Sequence, residues 1–286
     1  MNLYHYCSTE SFHKIISNKE IWLTSLSLSN DSMEGQLVKK LLGEMAKKDG
    51  LDEEHIKKLQ EAAANINILI DGLGFCLSEK KDILSQWRGY ANDAYGFSIG
   101  FSKEYLDLLA ASYRGGKVSG FALDKVIYEP TDQEQVIQPT YEKIKEFINK
   151  GAFKPYSHSG LLSPKADEQI EKENDEIKKQ HHSLYTTMLF FINKLFLLKS
   201  KAFEEEFEWR LISVFVKVAN DTCSFYASSD KIKPYRSFKL AELGINPINE
   251  IVMGPKNNTP TYVVESFLKQ SGFKYVKVSC SGASYR

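Results

Sequence analysis

The sequence predicts an α+β fold, with a mostly antiparallel sheet as the body and a helical insertion over 131–203 packed beside it. Two patterns carry this. Short stretches of two-residue alternation recur between helical stretches, the signature of strands with two distinct faces. Residues 131–203 instead are charge-rich and mostly helical, broken by a Gly/Pro/Ser-bearing stretch at 151–164. There Leu184, Met188, Phe191, Leu195 and Leu198 recur at three- and four-residue steps, a helical stripe. The length of 286 residues suits one large domain spanning 1–286 with that insertion inside it.

In chain order, Leu3-Tyr-His-Tyr-Cys7 reads as a strand, with Leu3, His5 and Cys7 on one face and Tyr4 and Tyr6 on the other. Ser8 or Thr9 caps a helix to about Asn18 whose apolar stripe is Phe12, Ile15 and Ile16. Residues 21–24 form a second strand. Asn30 and Asp31 follow as turn and cap residues, with Glu34 at capping-box spacing. Helices near 32–48 and 52–70 present charged faces to solvent. A buried strand over 72–78 contains Gly72 and Gly74, which permit close backbone approach but lack dinucleotide-loop spacing. Then come a helix at 83–91 with Trp87 and Tyr90 one turn apart, a strand at 95–101, a helix at 103–113 stopped by Arg114-Gly-Gly116, and a strand at 118–128. Residues 165–201 read as one or two long helices. Strands at 222–227, 236–240 and 275–279, a stretch over 248–254 that enters a turn at Pro255, and a helix starting at Thr259-Pro260 complete the chain.

Composition excludes several classes. The chain is 42% hydrophobic and 26% charged, and its 37 basic residues balance 37 acidic ones, so no global field draws it to nucleic acid or membrane. The four cysteines are far apart in sequence, with no Cys-x-x-Cys motif; buried free thiols in a reducing cytoplasm are expected. The N-terminus enters a strand pattern directly, without a signal peptide, and the most apolar run, 188–198, is too short to span a bilayer. A Walker A loop and His-Glu-x-x-His are both absent. His181-His182 are adjacent rather than four apart, so a metal pair is not expected.

The stretch Phe203-Glu-Glu-Glu-Phe-Glu-Trp-Arg-Leu-Ile-Ser-Val-Phe215 carries the chemistry. Its alternation puts Glu208, Arg210, Ile212 and Val214 on one face and Phe207, Trp209, Leu211, Ser213 and Phe215 on the other. A buried carboxylate must be paired or hydrogen-bonded, so Glu208 is either an ion-pair partner of Arg210 or a group lining a cleft. Glu206 joins the same face if the strand starts early. His5, Tyr6, Ser8, Ser78, Arg88, Tyr90, Glu208 and Arg210 are polar residues on or beside apolar elements, compatible with a cleft in a mostly apolar body.

The chain resembles a widespread bacterial family known as a domain of unknown function. The resemblance is carried by Leu3-Tyr-His-Tyr-Cys-Ser8, Ile21-Trp-Leu-Thr24, Asn30-Asp-Ser-Met-Glu34, Phe75-Cys-Leu-Ser78, Gln86-Trp-Arg-Gly-Tyr90, Gly96-Phe-Ser-Ile-Gly-Phe101, the Glu-x-Glu-aromatic-Arg element ending at Arg210, Ile251-Val-Met-Gly-Pro255 and Ser284-Tyr-Arg286. The Tyr-His-Tyr-x-Ser strand followed by a helix is also similar to the opening of ADP-ribosyltransferases of the DarT type. That similarity implies a split sheet and NAD as substrate. It implies His5 holding a ribose of NAD, Glu208 as the essential acid beside the nicotinamide ribose, and Glu206 orienting the acceptor. Tyr6, Ser8, Ser78, Tyr90 and Arg210 would complete the NAD site, with no metal. The toxin family's further arginine has no clean counterpart here, with Lys80, Lys81 and Arg88 only neighbouring its place.

The implied function is an ADP-ribosyltransferase acting as a toxin or phage-defence effector, with a protein or nucleic-acid acceptor and an antitoxin or regulatory protein as partner. The alternatives are a catalytically silent binding or regulatory module, with Glu208 paired to Arg210, and an NAD glycohydrolase without a macromolecular acceptor.

Overall fold

A computed structural model of the chain describes residues 1–29, 33, 35–113, 120–158, 167–217, 223–228 and 230–285. The capping-box residues Asp31 and Glu34, the Arg114–Gly116 helix stop and the terminal Arg286 lie outside the described residues.

The elements run β1 (Asn2–Cys7), α1 (Thr9–Asn18), β2 (Glu20–Ser25), α2 (Leu37–Lys48), α3 (Glu53–Leu69), β3 (Ile70–Ser78), α4 (Leu84–Tyr90), β4 (Phe97–Ser102), α5 (Lys103–Ser112) and β5 (Ala122–Lys125). They continue with α6 (Pro130–Asn149), α7 (Asp167–Met188), α8 (Ile192–Leu195), β6 (Glu208–Val216), β7 (Ser224–Ser228), β8 (Lys231–Lys239), β9 (Ile248–Met253), α9 (Thr261–Gln270) and β10 (Lys277–Cys280). The fold is therefore α+β, and every strand pairing in the sheet is antiparallel except that of β9 with β10.

Strand β3 is the axis of the sheet. One of its edges pairs with β6 along its whole length, from Ile70↔Val216 to Ser78↔Glu208. Its other edge is shared. β1 meets it at Tyr4↔Ser78, and β2 meets it at Thr24↔Gly74 and Ser25↔Leu73. From there β1 leads to β4, β9 and β10, while β2 leads to β8 and β7. Between the two contacts, Phe75, Cys76 and Leu77 have no ladder partner on that edge, and the sheet opens.

The sheet buries two large cores and a smaller one, in which Tyr4 and Tyr6 pack with Trp87 and Val252. Leu73, Phe75, Leu77 and Leu211 face α1, α5 and α9, where Phe12, Ile16, Leu106, Val264 and Leu268 are buried. Ile212 and Val214 face a helical layer on the other side. That layer differs from a single insertion. Leu41, Leu42 and Leu59 of α2 and α3 are buried in the same cluster as Tyr141, Ile144 and Leu184 of α6 and α7. Helices from two separate stretches of chain thus share one core, because the apolar stripes of α2 and α3 need the same cover as those of α6 and α7. The one or two long helices expected over 165–201 are α7, ending at Met188, then a 3-10 turn and the short α8, while the described part of the strand expected over 118–128 holds β5.

Close approach at β3 explains its glycines. A Cβ on Gly72 would stand 2.5 Å from Phe196 Cδ2, and one on Gly74 2.6 Å from Leu26 Cδ2. Gly72→Ala is accordingly expected to overpack this face and cost about 1–3 kcal/mol, read as a lowered urea midpoint at unchanged slope. A midpoint equal to wild type would show that Phe196 yields freely.

Of the four cysteines, Cys7 is buried, Cys76 and Cys223 are half-buried and Cys280 is exposed, all as free thiols. Cys280 departs from the expected burial because β10 is a sheet edge. No helix among the described residues is long and apolar enough to cross a membrane.

Candidate functional site

The opening of the sheet beside β3 contains a cavity of about 100 Å³, lined by residues including Tyr4, His5, Cys76, Tyr90, Lys199 and Glu208. Glu206, Arg210, Tyr6, Gln86 and Leu26 also reach it. Chain geometry explains how distant residues meet there. β1 and β6 lie on opposite edges of β3 and both reach Ser78, so the start of β6 and the middle of β1 converge on the same end of β3.

The acidic side is built by a short turn. Lys201–Glu206 is a 3-10 helix, capped at its start by Ser200. Phe207 then adopts φ 46° and ψ 47°, a left-handed conformation costing a non-glycine residue about 1–2 kcal/mol. That kink turns the chain into β6 and lets Glu206 and Glu208 converge. Phe207 itself is partly exposed, with Lys80 Nζ 4.9 Å from its ring centre. Ser78 Oγ donates to the Glu206 carbonyl at 2.6 Å, and the Glu208 N–H donates to Tyr128 Oη at 3.0 Å.

Glu208 is held on both oxygens. Arg210 donates from Nε to Oε1 at 2.7 Å and from Nη2 to Oε2 at 2.9 Å, a two-point pair. Arg210 Nη1 donates onward to the Phe196 carbonyl at 2.7 Å. Lys199 Nζ donates to Glu208 Oε2 at 3.0 Å and also to Glu206 Oε2. The remaining Glu206 oxygen accepts from Tyr90 Oη at 3.2 Å. Among the described residues, two carboxylates and two cations thus meet in one buried network.

Electrostatics follows from these contacts. Burial pushes the Glu208 carboxyl up, but Arg210 and Lys199 outweigh it and hold it at about 2. Burial lifts the Glu206 carboxyl above its ordinary value, with Lys199 opposing and Glu208 adding to the rise. Burial disfavours the Lys199 ammonium, yet Glu208 and Glu206 overrule it and raise its pKa. Burial also raises the Cys76 thiol well above its usual range.

His5 forms the opposite wall. Its Nδ1 lies 2.8 Å from the Cys76 carbonyl, one of the groups left without a ladder partner where the sheet opens. A carbonyl only accepts, so Nδ1 carries the proton and Nε2 is an acceptor. The ring stacks on Phe75 with centroids 3.9 Å apart. Burial lowers its pKa to about 4, only partly offset by the Cys76 hydrogen bond, so the ring is neutral at pH 7. Because the folded value lies below the ordinary 6.5, the unfolded chain binds a proton between those pH values that the folded chain does not. Stability therefore falls as pH drops from 6.5 towards 4, by on the order of 2 kcal/mol from this group. His5→Gln, which retains a donor for Cys76, is expected to lose that part of the pH dependence in melting curves; a variant with the wild-type slope would contradict the assignment.

The other expected residues divide. Tyr6 lines the cavity, but its hydroxyl is used locally, donating to the Lys80 carbonyl at 2.9 Å and accepting from Ile83 N at 3.0 Å. Ser78 is buried behind the cavity and positions Glu206. Ser8 does not line it: its side chain accepts from Ser11 N at 3.1 Å as the N-cap of α1. Lys81 pairs with Glu250 at 3.0 Å, and exposed Arg88 lies 5.8 Å from the Tyr285 ring. Among the described residues no group of three or more His, Cys, Asp or Glu is placed to hold a metal.

Lys199 is the central group that the sequence reading did not single out. Its one sequence signal is a lysine directly after the apolar run ending at Leu198, a place where a charge must find partners.

Residues 86–211 match the family described as "Protein of unknown function (DUF2971)". This match is consistent with the expected family of unknown function, over a segment that includes Tyr90, Lys199, Glu206, Glu208 and Arg210. No curated protein matches the chain, and no solved structure does.

Proposed function

We propose that the chain is an NAD-consuming ADP-ribosyltransferase whose reaction centre is the cavity between His5 and the two glutamates. The observation that carries the proposal is the convergence of His5 on β1 with Glu206 and Glu208 at the head of β6, across the opening in the sheet. Those residues are about 200 positions apart in sequence. They are the ones that the ADP-ribosyltransferase resemblance names.

The chemistry suits them. Cleaving the bond between nicotinamide and ribose develops positive charge on the sugar, which a fixed carboxylate stabilises. Glu208 is charged across the physiological range and fixed by Arg210, so little reorganisation is needed as charge develops. Neutral His5 offers Nε2 to a ribose hydroxyl. Tyr90, 44% exposed at the mouth, offers a ring face to nicotinamide. The cavity takes one end of the substrate, since its volume is below that usual for a whole ligand, and the rest of the dinucleotide would run outwards past Tyr90. Glu206, nearer the mouth, would receive the proton of the acceptor nucleophile. A toxin or phage-defence role for such an activity rests on the resemblance alone.

A second reading is a non-catalytic binding or regulatory module. It is favoured by one specific observation: both oxygens of Glu208 are already engaged, by Arg210 and Lys199. NAD labelled in its adenylate half separates the possibilities. Label on a macromolecule indicates transfer, free labelled ADP-ribose alone indicates a glycohydrolase, and unchanged NAD favours the module.

A further inference from the structure

We propose that Lys199 is a positioning residue that keeps Glu206 ionised, so that Glu206 can take the proton of the acceptor. The acceptor step rests on the ADP-ribosyltransferase reading; the control of Glu206 by Lys199 does not.

The geometry leaves Lys199 little freedom to do otherwise. Its backbone is clamped, with N–H donating to the Ile127 carbonyl at 3.1 Å and carbonyl accepting from Gln133 Nε2 at 2.8 Å. Its ammonium lies between the two carboxylates, 2.5 Å from Glu206 and 3.0 Å from Glu208, and 4.8 Å from the Phe203 ring centre. Direct contact then assigns the partners among the described residues. Arg210 already balances Glu208 through two hydrogen bonds. Among the described residues, Lys199 is the cation in direct contact with the Glu206 carboxylate, which also accepts from the neutral hydroxyl of Tyr90.

Among the described residues, these ionisable groups face Glu206. β6 contributes Glu208 and Arg210, α4 contributes Tyr90, β3 contributes Cys76, the segment after β5 contributes Tyr128, and β1 contributes Tyr4, His5 and Tyr6. The hydroxyls, the thiol and the imidazole are neutral at pH 7, so Glu208 is the one other anion of the set. Without Lys199, Glu206 would be a buried carboxylate beside a like charge, and it would recover neutrality by binding a proton. A protonated Glu206 cannot accept another.

The test reads the Glu206 carboxyl itself, by infrared difference spectroscopy across a pH titration, with Glu206→Gln identifying its band. Lys199→Met is expected to shift the Glu206 titration upwards by about one pH unit or more. Lys199→Arg should restore the wild-type position. Glu208→Gln should shift it downwards, and this supplies an independent arm if Lys199→Met folds poorly. A Glu206 titration unchanged in Lys199→Met, or in Glu208→Gln, would overturn the proposal. Transfer activity measured on the same proteins should show its acidic limb moved to higher pH in Lys199→Met, with rescue at alkaline pH. A wild type that turns over no NAD would defeat the transferase reading, while the infrared titration would still decide the role of Lys199.

Discussion

Replacing Arg210 by methionine is expected to destabilise the fold by about 3–5 kcal/mol, the cost of leaving one half of a buried ion pair unpaired. Arg210 is 2% exposed, and its hydrogen bonds include two to Glu208 and one to the Phe196 carbonyl. Its loss strands a carboxylate that Lys199 cannot balance alone, because Lys199 also serves Glu206. The melting temperature should fall by on the order of 10 °C. The double variant Glu208→Leu/Arg210→Met should recover much of the loss, since removing both charges removes the desolvation cost as well. Single and double variants equally unstable would mean that the arginine matters for packing, not for the pair. The same network sets an acid limit. The folded pKa of Glu208, about 2, lies below its ordinary 4.5, so its stabilising contribution is complete above pH 4.5 and is lost as pH falls towards 2. That window lies below the one expected for His5, so the two can be resolved in one titration.

The second large effect concerns turnover. Glu208→Gln retains the side-chain shape and an oxygen for Arg210 but removes the charge. NAD cleavage should fall by roughly a hundredfold or more, the scale of losing one fixed electrostatic group in a reaction centre. Glu206→Gln should separate the steps, reducing transfer to an acceptor more than nicotinamide release. Equal losses in both steps would place Glu206 with Glu208 in bond cleavage instead.

Much of this site was legible in the sequence because strand periodicity is rigid. Two-residue alternation from Phe207 placed Glu208, Arg210, Ile212 and Val214 on one face, and Ile212 and Val214 do face the helical layer while Glu208 and Arg210 line the cavity. Glycines at positions 72 and 74 were expected to permit close backbone approach, but the space a Cβ would take is filled by the side chains of Phe196 and Leu26. Helical spacing was less decisive. Trp87 and Tyr90 lie one turn apart on α4, yet Trp87 is fully buried and Tyr90 reaches the cavity mouth, since a seven-residue helix presents each turn to a different neighbour. Ser8 carried two readings, a helix cap and a site residue, and local hydrogen bonding decided for the cap. Lys199 was not legible, because its place depends on contacts with Ile127 and Gln133, more than 60 residues away. Nor could the sequence show that α2 and α3 share a core with α6 and α7; amphipathic stripes reveal that a helix needs cover, not which helix supplies it.

The most direct measurement is nicotinamide release from NAD by the purified protein, wild type beside Glu208→Gln, with melting curves confirming that both are folded. Release by the wild type, reduced by roughly two orders of magnitude in the variant, is the predicted result. A folded wild type that releases no nicotinamide, and whose melting temperature is unmoved by NAD, would contradict the account and leave the cavity as the core of a binding module.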